Sequence, residues 1–300
     1  MRKPPVIMLA GIRWDFLWQR HQSLATRFAR AGYPTVFVET TGLANPRPGL
    51  ATLRKALSRL GRSRGGGKGL RGEPGPTVYS PLVAPPTLET FGRANRRLFL
   101  PRVLRDLEKA AGSSPVVVAY PPTRTTLDLI SGLTPRLVFY DCADDYEHFP
   151  GVPKDIRETE RELLRRADLV SCTSTYLLRK VRPLRPDALL SGPAVDYERF
   201  AALQDPRPAE EVRTVCFFGH VSRERTDFAA LRAIARAGFS VRLVGGLGRV
   251  DRGLLKTPGL DYRGEVSHAN LPDALRGVDA FVLPYKINGL TRGISPAKTY

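Results

Sequence analysis

The stretch Pro115–Tyr120, PVVVAY, decides the fold. Its apolar residues are consecutive rather than alternating, the pattern of a strand covered by helices on both faces of a parallel sheet. Working outward, short β-branched runs recur at Val6–Ala10, Thr35–Glu39, Thr77–Ser80, Leu137–Asp141 and Leu169–Thr173. Helical patterns lie between them, among them Leu17–Ala31, Leu88–Ala111 and Asp155–Ala167. This alternation predicts βαβ units on a parallel sheet. The stretch Leu203–Glu211, LQDPRPAEE, is rich in proline and charge and suits an interdomain linker. The alternation then restarts: VRTVCFFG at 212–219 as a strand, Phe228–Ala237 as a helix, VRLVGG at 241–246 as a strand. Leu260–Arg263, His268–Gly277 and Ala280–Pro284 continue it as strand, helix and strand. The expectation is two α/β, Rossmann-like, doubly wound domains, 1–203 and 212–300, facing a cleft. Ligands of such sheets lie beyond the carboxyl ends of the strands.

The chain has 300 residues, 42% hydrophobic, which excludes global disorder. No apolar run approaches the roughly 18 residues of a membrane span. The opening MRKPPVIMLAG reads as a first strand, since its apolar part is too short for an export signal. Cys142, Cys172 and Cys216 are scattered singly, without metal-ligand spacing, and read as buried thiols.

The net charge is +18, and residues 201–300 contribute only 15 basic against 10 acidic groups. A basic insert, 44–75, stands out: from Glu39 to Glu73 there is no acid between, but there are Arg47, Arg54, Lys55, Arg59, Arg62, Arg64, Lys68 and Arg71. Leu50, Leu53, Leu57 and Leu60 fall on one helical face there. Such a segment attracts anionic lipid, nucleic acid or a phosphorylated substrate, or else packs on its own domain. No nucleic-acid-binding signature accompanies it.

Candidate site residues follow strand ends. Gly11 ends the first strand, and both tryptophans, Trp14 and Trp18, come next, with Arg20 and His21 opening a helix. A glycine there allows close backbone approach, and the helix start offers free N–H groups. Asp141, Asp144 and Asp145 crowd three carboxylates into YDCADDY. Their repulsion calls for a metal, a sugar-hydroxyl network, a held proton or a capping role. Gly219-His220, followed by Arg225 before a helix, makes a diphosphate cradle, although it is neither a P-loop nor GxGxxG. Pro284, Asn288, Thr291, Arg292, Ser295 and Lys298 follow the last strand. Lys298 near a helix start opposes the macrodipole unless an anion intervenes.

Four stretches together carry a family resemblance: WDFLWQRHQSLATRFARAGYPTVFVET, YDCADDYEHFPGVP with RRADLVSCTS, VDYERF at 195–200, and LPYKINGLTRGISPAKTY. In this order they resemble GT-B glycosyltransferases of the family-4 type, similar to bacterial enzymes of cell-surface polysaccharide and teichuronic-acid assembly. The resemblance implies a nucleotide-sugar donor in the second domain and a glycan or polyprenyl-linked acceptor in the first. It implies a retaining, metal-independent reaction without a cofactor, in the cytoplasm and at the inner membrane face. By position, Gly219, His220 and Arg225 would face the donor diphosphate, where the family usually has Arg and Lys at the last two. Gly264, Glu265 and Val266 would meet the base. Pro284, Asn288, Thr291 and Ser295 would line donor phosphates and sugar, with Arg292 and Lys298 beside them as catalytic groups that stabilise the departing diphosphate. Gly11, Trp14, Arg20, His21 and Asp145 would lie toward the acceptor, with Asp141 or Asp144 orienting its hydroxyl. The family continues past Tyr300 with a glutamate-bearing helix, so the resemblance implies a C-terminally incomplete second domain. Rival expectations are a transferase using a metal at Asp144-Asp145, and a non-catalytic glycan- or lipid-binding scaffold of degenerate GT-B fold.

Overall fold

The computed structural model describes residues 3–39, 65–66, 75–83, 89–201, 203, 210–251 and 253–299. Most of the basic insert, including Leu50, Leu53, Leu57 and Leu60, lies outside the described residues. The chain forms two compact units, residues 1–193 with 293–296, and residues 194–292 with 297–300. The division falls after Pro193, ahead of the linker expected at 203–211. Packing explains it: Phe200 and Leu203 join the apolar cluster of Cys216, Val244 and Leu275 under the second sheet.

The first unit holds β1 (Val6–Leu9), β2 (Thr35–Val38), β3 (Gly65–Gly66), β4 (Thr77–Tyr79), β5 (Val116–Ala119), β6 (Leu137–Cys142), β7 (Leu169–Cys172) and β8 (Leu189–Leu190). They form one sheet in the order β3-β4-β2-β1-β5-β6-β7-β8. All pairings are parallel except β3 with β4. In β5, Val117 and Ala119 enter one core cluster and Val118 enters the other, so consecutive residues bury on opposite faces. Each fully buried valine contributes about 2 kcal/mol, which is why this sequence cannot serve as an exposed edge.

Helices α1 (Arg20–Arg30), α2 (Glu89–Ala94), α3 (Leu100–Ala111), α4 (Arg124–Leu133), α5 (Ile156–Arg166) and α6 (Thr175–Val181) complete the first unit. The expected helix over 88–111 is interrupted by a π turn at Asn95–Phe99. Pro101 lacks the N–H that an uninterrupted α-helix would use, and the wide turn lies just ahead of it. Capping sets other starts: Thr123 Oγ1 accepts from the Thr126 N–H and Ser174 Oγ from the Leu177 N–H.

The second unit begins with α7 (Tyr197–Ala201) and carries β9 (Thr214–Phe218), α8 (Phe228–Arg236), β10 (Ser240–Val244), β11 (Leu260–Tyr262), α9 (Leu271–Ala274), β12 (Ala280–Phe281) and α10 (Gly289–Arg292). Its parallel sheet runs β11-β10-β9-β12. Val215 and Phe217 pack on one face, Cys216 and Phe218 on the other. Asp227 caps α8 by accepting from the Ala229 and Ala230 N–H groups. All three cysteines are buried and free. Among the described residues, no helix is long and apolar enough to cross a membrane.

Candidate functional site

In the second unit, the carboxyl ends of β9 and β10 meet through glycines. Gly219 adopts φ +122° and Gly245 φ +130°, both in the left-handed half of backbone space. A Cβ built on Gly245 would stand 2.1 Å from the Gly219 carbonyl oxygen, so no side chain fits. A Cβ on Gly219 would stand 2.7 Å from Lys298 Nζ. Lys298 therefore lies directly over the turn. Its ammonium is 5.0 Å from the centre of the Phe217 ring and 5.6 Å from those of Phe218 and Tyr285. It also donates to the Tyr285 hydroxyl at 3.1 Å. No carboxylate among the described residues pairs with it. Aromatic faces hold such a cation without neutralising it.

His220 follows the same turn. A Cβ on Gly246 would lie 3.7 Å from His220 Nδ1 and 3.3 Å from Glu265 Oε2, so the glycines also make room for these side chains. Burial, and then the Arg225 charge, hold His220 below its ordinary pKa against the pull of Glu224 and Glu265. His220 is thus neutral at pH 7 and offers a ring N–H rather than a cation. The Gly264 carbonyl accepts from the Gly245 N–H at 2.7 Å, tying the 264–266 loop to the glycine turns. Val266 packs with the Cys216 and Val244 cluster.

The polar residues after β12 divide in use. Asn288 Nδ2 donates to the Glu224 carbonyl at 3.0 Å, and its Oδ1 accepts from the Thr291 N–H at 3.0 Å. Thr291 Oγ1 donates to the Lys286 carbonyl. These groups build the loop onto the Arg225 segment, whose carbonyl accepts from the Lys286 N–H at 2.9 Å. The Pro284 carbonyl accepts from Asp227 at 2.7 Å. Arg292 is exposed and has no ion pair among the described residues. Ser295 falls in the 293–296 segment assigned to the first unit.

The first unit answers how three neighbouring carboxylates coexist. Asp141 is fully buried at the end of β6. One oxygen accepts from Arg20 Nε at 2.6 Å and the other from Ser171 Oγ at 2.6 Å. Arg20 also donates to Ser191 Oγ at 3.0 Å and to the Gly192 carbonyl at 3.1 Å. Both oxygens of Asp141 are thus partnered and out of solvent. Asp145 is equally buried and takes Lys180 Nζ at 2.5 Å and His148 Nδ1 at 2.9 Å. Lys180 also meets Glu160 at 3.1 Å and Glu147 at 3.8 Å. Burial opposes its charge, yet Glu160 and Asp145 hold its pKa above the ordinary lysine value. Oxygens of Asp145 and Glu147 and a nitrogen of His148 come within 4.8 Å of one another, a spacing that suits a metal. The ammonium of Lys180 already supplies positive charge there. Asp144 is half-buried, and its carbonyl lies 3.9 Å from the Cys142 thiol.

Gly11, at φ +70°, leads into the loop before α1, and a Cβ there would stand 2.7 Å from Pro121. Buried Gln22 organises that loop, donating toward the carbonyls of Arg13, Trp14 and Leu17 at 3.4, 3.5 and 3.2 Å. The Trp14 N–H donates to Glu39 at 2.7 Å, and its ring meets Phe37 edge-on at 5.0 Å. His21 is buried with its ring 3.9 Å from that of Tyr120, and its Nδ1 has no hydrogen-bond partner among the described residues. Burial lowers its pKa to about 4.

Lys298 and Gly219 are thus brought together, with His220 and Glu265 beside the neighbouring Gly246. Arg20 and Asp141 meet in an ion pair. Gln22, Lys180 and the Gly245-Gly246 turn were not picked out from the sequence. The double glycine after a strand was the one available signal for the last.

No protein-family model and no curated protein sequence matches the chain. Solved structures do. Anabaena HepE in complex with UDP-glucose superposes with a TM-score of 0.57 at 10% identity, covering 92% of this chain and 72% of that one. The catalytic domain of starch synthase IV from Arabidopsis thaliana, bound to ADP and acarbose, gives 0.56 at 10% identity, covering 94% and 78%. UDP-N-acetylglucosamine 2-epimerase from Rickettsia bellii gives 0.50 at 12% identity, covering 93% and 73%. At these identities the likeness is one of fold. The chain has two Rossmann-like parallel-sheet units of the GT-B type.

Proposed function

We propose that the protein is a glycosyltransferase that takes its sugar from a nucleoside-diphosphate sugar. The observation that carries this reading is the ammonium of Lys298, which pairs with no carboxylate among the described residues, over the Gly219 turn at the carboxyl ends of β9 and β10. Leaving-group departure from such a donor builds negative charge on a diphosphate. A preorganised cation beside a glycine turn stabilises that charge without metal. Exposed Arg292 and nearby Arg225 add positive potential on the same unit. Neutral His220 would donate one hydrogen bond to a phosphate oxygen, a weaker contact than the arginine of the family pattern.

On this reading the 264–266 loop meets the nucleoside base, and the acceptor binds at the carboxyl ends of the first sheet, near Gly11, Trp14 and Asp144. Asp141 and Arg20, paired with each other, and Asp145, paired with Lys180, then shape the acceptor side by fixing backbone. The finer assignments, all part of the proposal, are a family-4-like retaining reaction and a glycan or polyprenyl-linked acceptor of cell-envelope polysaccharide synthesis. They place the protein in the cytoplasm, peripheral at the inner face of the cell membrane.

The likeness to an epimerase makes product analysis the decisive test. The protein is incubated with UDP-, GDP-, ADP- and dTDP-sugars, with and without a polyprenyl-phosphate sugar acceptor. Acceptor-dependent release of nucleoside diphosphate with a new glycosidic bond supports the proposal. Epimerised donor with no transfer, or no binding of any nucleotide, overturns it.

A further inference from the structure

The helical segment from Glu89 to Ala111 shows two unlike faces. Leu100, Val103 and Leu107 are buried in the core, and Arg96 turns to Asp128 at 3.6 Å. The other face carries Arg97, Leu98, Arg102, Arg105 and Lys109, all exposed. Leu98 is 70% exposed in the midst of these cations. Arg97, Arg105 and Lys109 have no ion pair among the described residues. Arg102 reaches Asp106 only at 4.0 Å, with its own side chain 81% exposed. Arg102 with Arg105, and Arg105 with Lys109, are like charges three and four residues apart, an arrangement that destabilises an isolated helix. It becomes favourable against an anionic surface. An exposed leucine among arginines selects the kind of surface, because an anionic polymer offers it nothing whereas a lipid headgroup layer takes it up.

We propose that this face docks on a bilayer containing anionic phospholipid. Arg97, Arg102, Arg105 and Lys109 meet lipid phosphates, and Leu98 enters the headgroup layer. The inference rests on the peripheral membrane placement proposed above and names its contact surface; its vesicle test needs neither sugar transfer nor the 44–75 insert.

The test is flotation of the full chain with vesicles of phosphatidylcholine alone or with added phosphatidylglycerol, beside heparin affinity and duplex DNA binding. Binding to the anionic vesicles only is expected. Each arginine near such a surface is worth about fivefold in affinity, so R97Q/R102Q/R105Q should bind about a hundredfold more weakly. R105Q alone, about fivefold weaker, serves if the triple variant does not fold. L98S should weaken vesicle binding and leave heparin binding unchanged. Three results overturn the proposal. The wild-type chain fails to float with either vesicle. L98S changes nothing while heparin or DNA binds more tightly, which points to an anionic polymer. R97Q/R102Q/R105Q floats like wild type while R54Q/K55Q/R59Q does not, which moves the contact to the insert.

Discussion

Gly219→Ala separates backbone strain from ligand chemistry at the proposed donor site. At φ +122° an alanine is strained, by about 1–2 kcal/mol. Its methyl would also stand 2.7 Å from Lys298 Nζ and 2.9 Å from Cε. These atoms end a flexible side chain, so they move rather than resist. The ammonium then leaves the faces of Phe217 and Tyr285, forfeiting about 0.5–1 kcal/mol. The expected loss of stability is about 2 kcal/mol. Displacing the cation also removes a charged hydrogen bond to diphosphate, roughly tenfold or more in affinity. Two glycines calibrate the result. Gly238→Ala, at φ +95° with no atom within 4 Å of the new Cβ, should show strain alone and unchanged affinity. Gly245→Ala meets the Gly219 carbonyl oxygen at 2.1 Å, which is backbone and cannot step aside. It should destabilise the second unit most. Denaturant unfolding and calorimetric titration with the tightest-binding nucleoside diphosphate read both quantities. Gly219→Ala binding within about twofold of wild type, with stability like that of Gly238→Ala, would refute Lys298 as the anion's partner.

Further expectations concern the first unit. Burial holds His21 at about pKa 4 against 6.5 in an unfolded chain, so the unfolded state takes up the proton first as pH falls. The stability His21 allows above pH 6.5 should drain away toward pH 4, by up to about 3 kcal/mol. His21→Leu should flatten the difference in urea midpoints across that window, and an unchanged slope would count against the burial. Asp141→Asn leaves the Arg20 guanidinium without its anion and should cost about 3 kcal/mol in unfolding free energy. A loss confined to turnover would instead favour a chemical role for Asp141. Because Lys180 already sits against Asp145, Glu147 and Glu160, millimolar magnesium or EDTA should leave the melting temperature unmoved. A metal-dependent rise would show an ion displacing Lys180.

Runs such as PVVVAY made the strands legible, because burial on both faces demands apolar residues at every position. Observed strands stop short of several expected ends, at Ala10, Glu39, Ser80 and Thr173, where the chain leaves the sheet to form loops. The π turn before Pro101 was missed because periodicity is nearly the same on either side of it. The positions of candidate site residues were legible as polar groups past strand ends, but their partners were not. Arg20 and Asp141 are 121 residues apart in the chain, and only the tertiary fold brings the first residue of α1 to the end of β6. The same holds for Lys180 and Asp145, 35 residues apart. Asn288 and Thr291 look like ligand groups in sequence, yet their polar atoms close a loop. The nearness of Lys298 to Gly219 comes from tertiary packing that no local pattern encodes.

Calorimetric titration of Lys298→Met with the preferred nucleoside diphosphate tests the central claim most directly. Methionine keeps the apolar stem against Phe217 and Tyr285 while removing the charge, so melting should stay close to wild type. The account predicts at least about a tenfold loss of affinity, together with a weaker dependence on salt. Wild-type affinity in a folded Lys298→Met protein would contradict it.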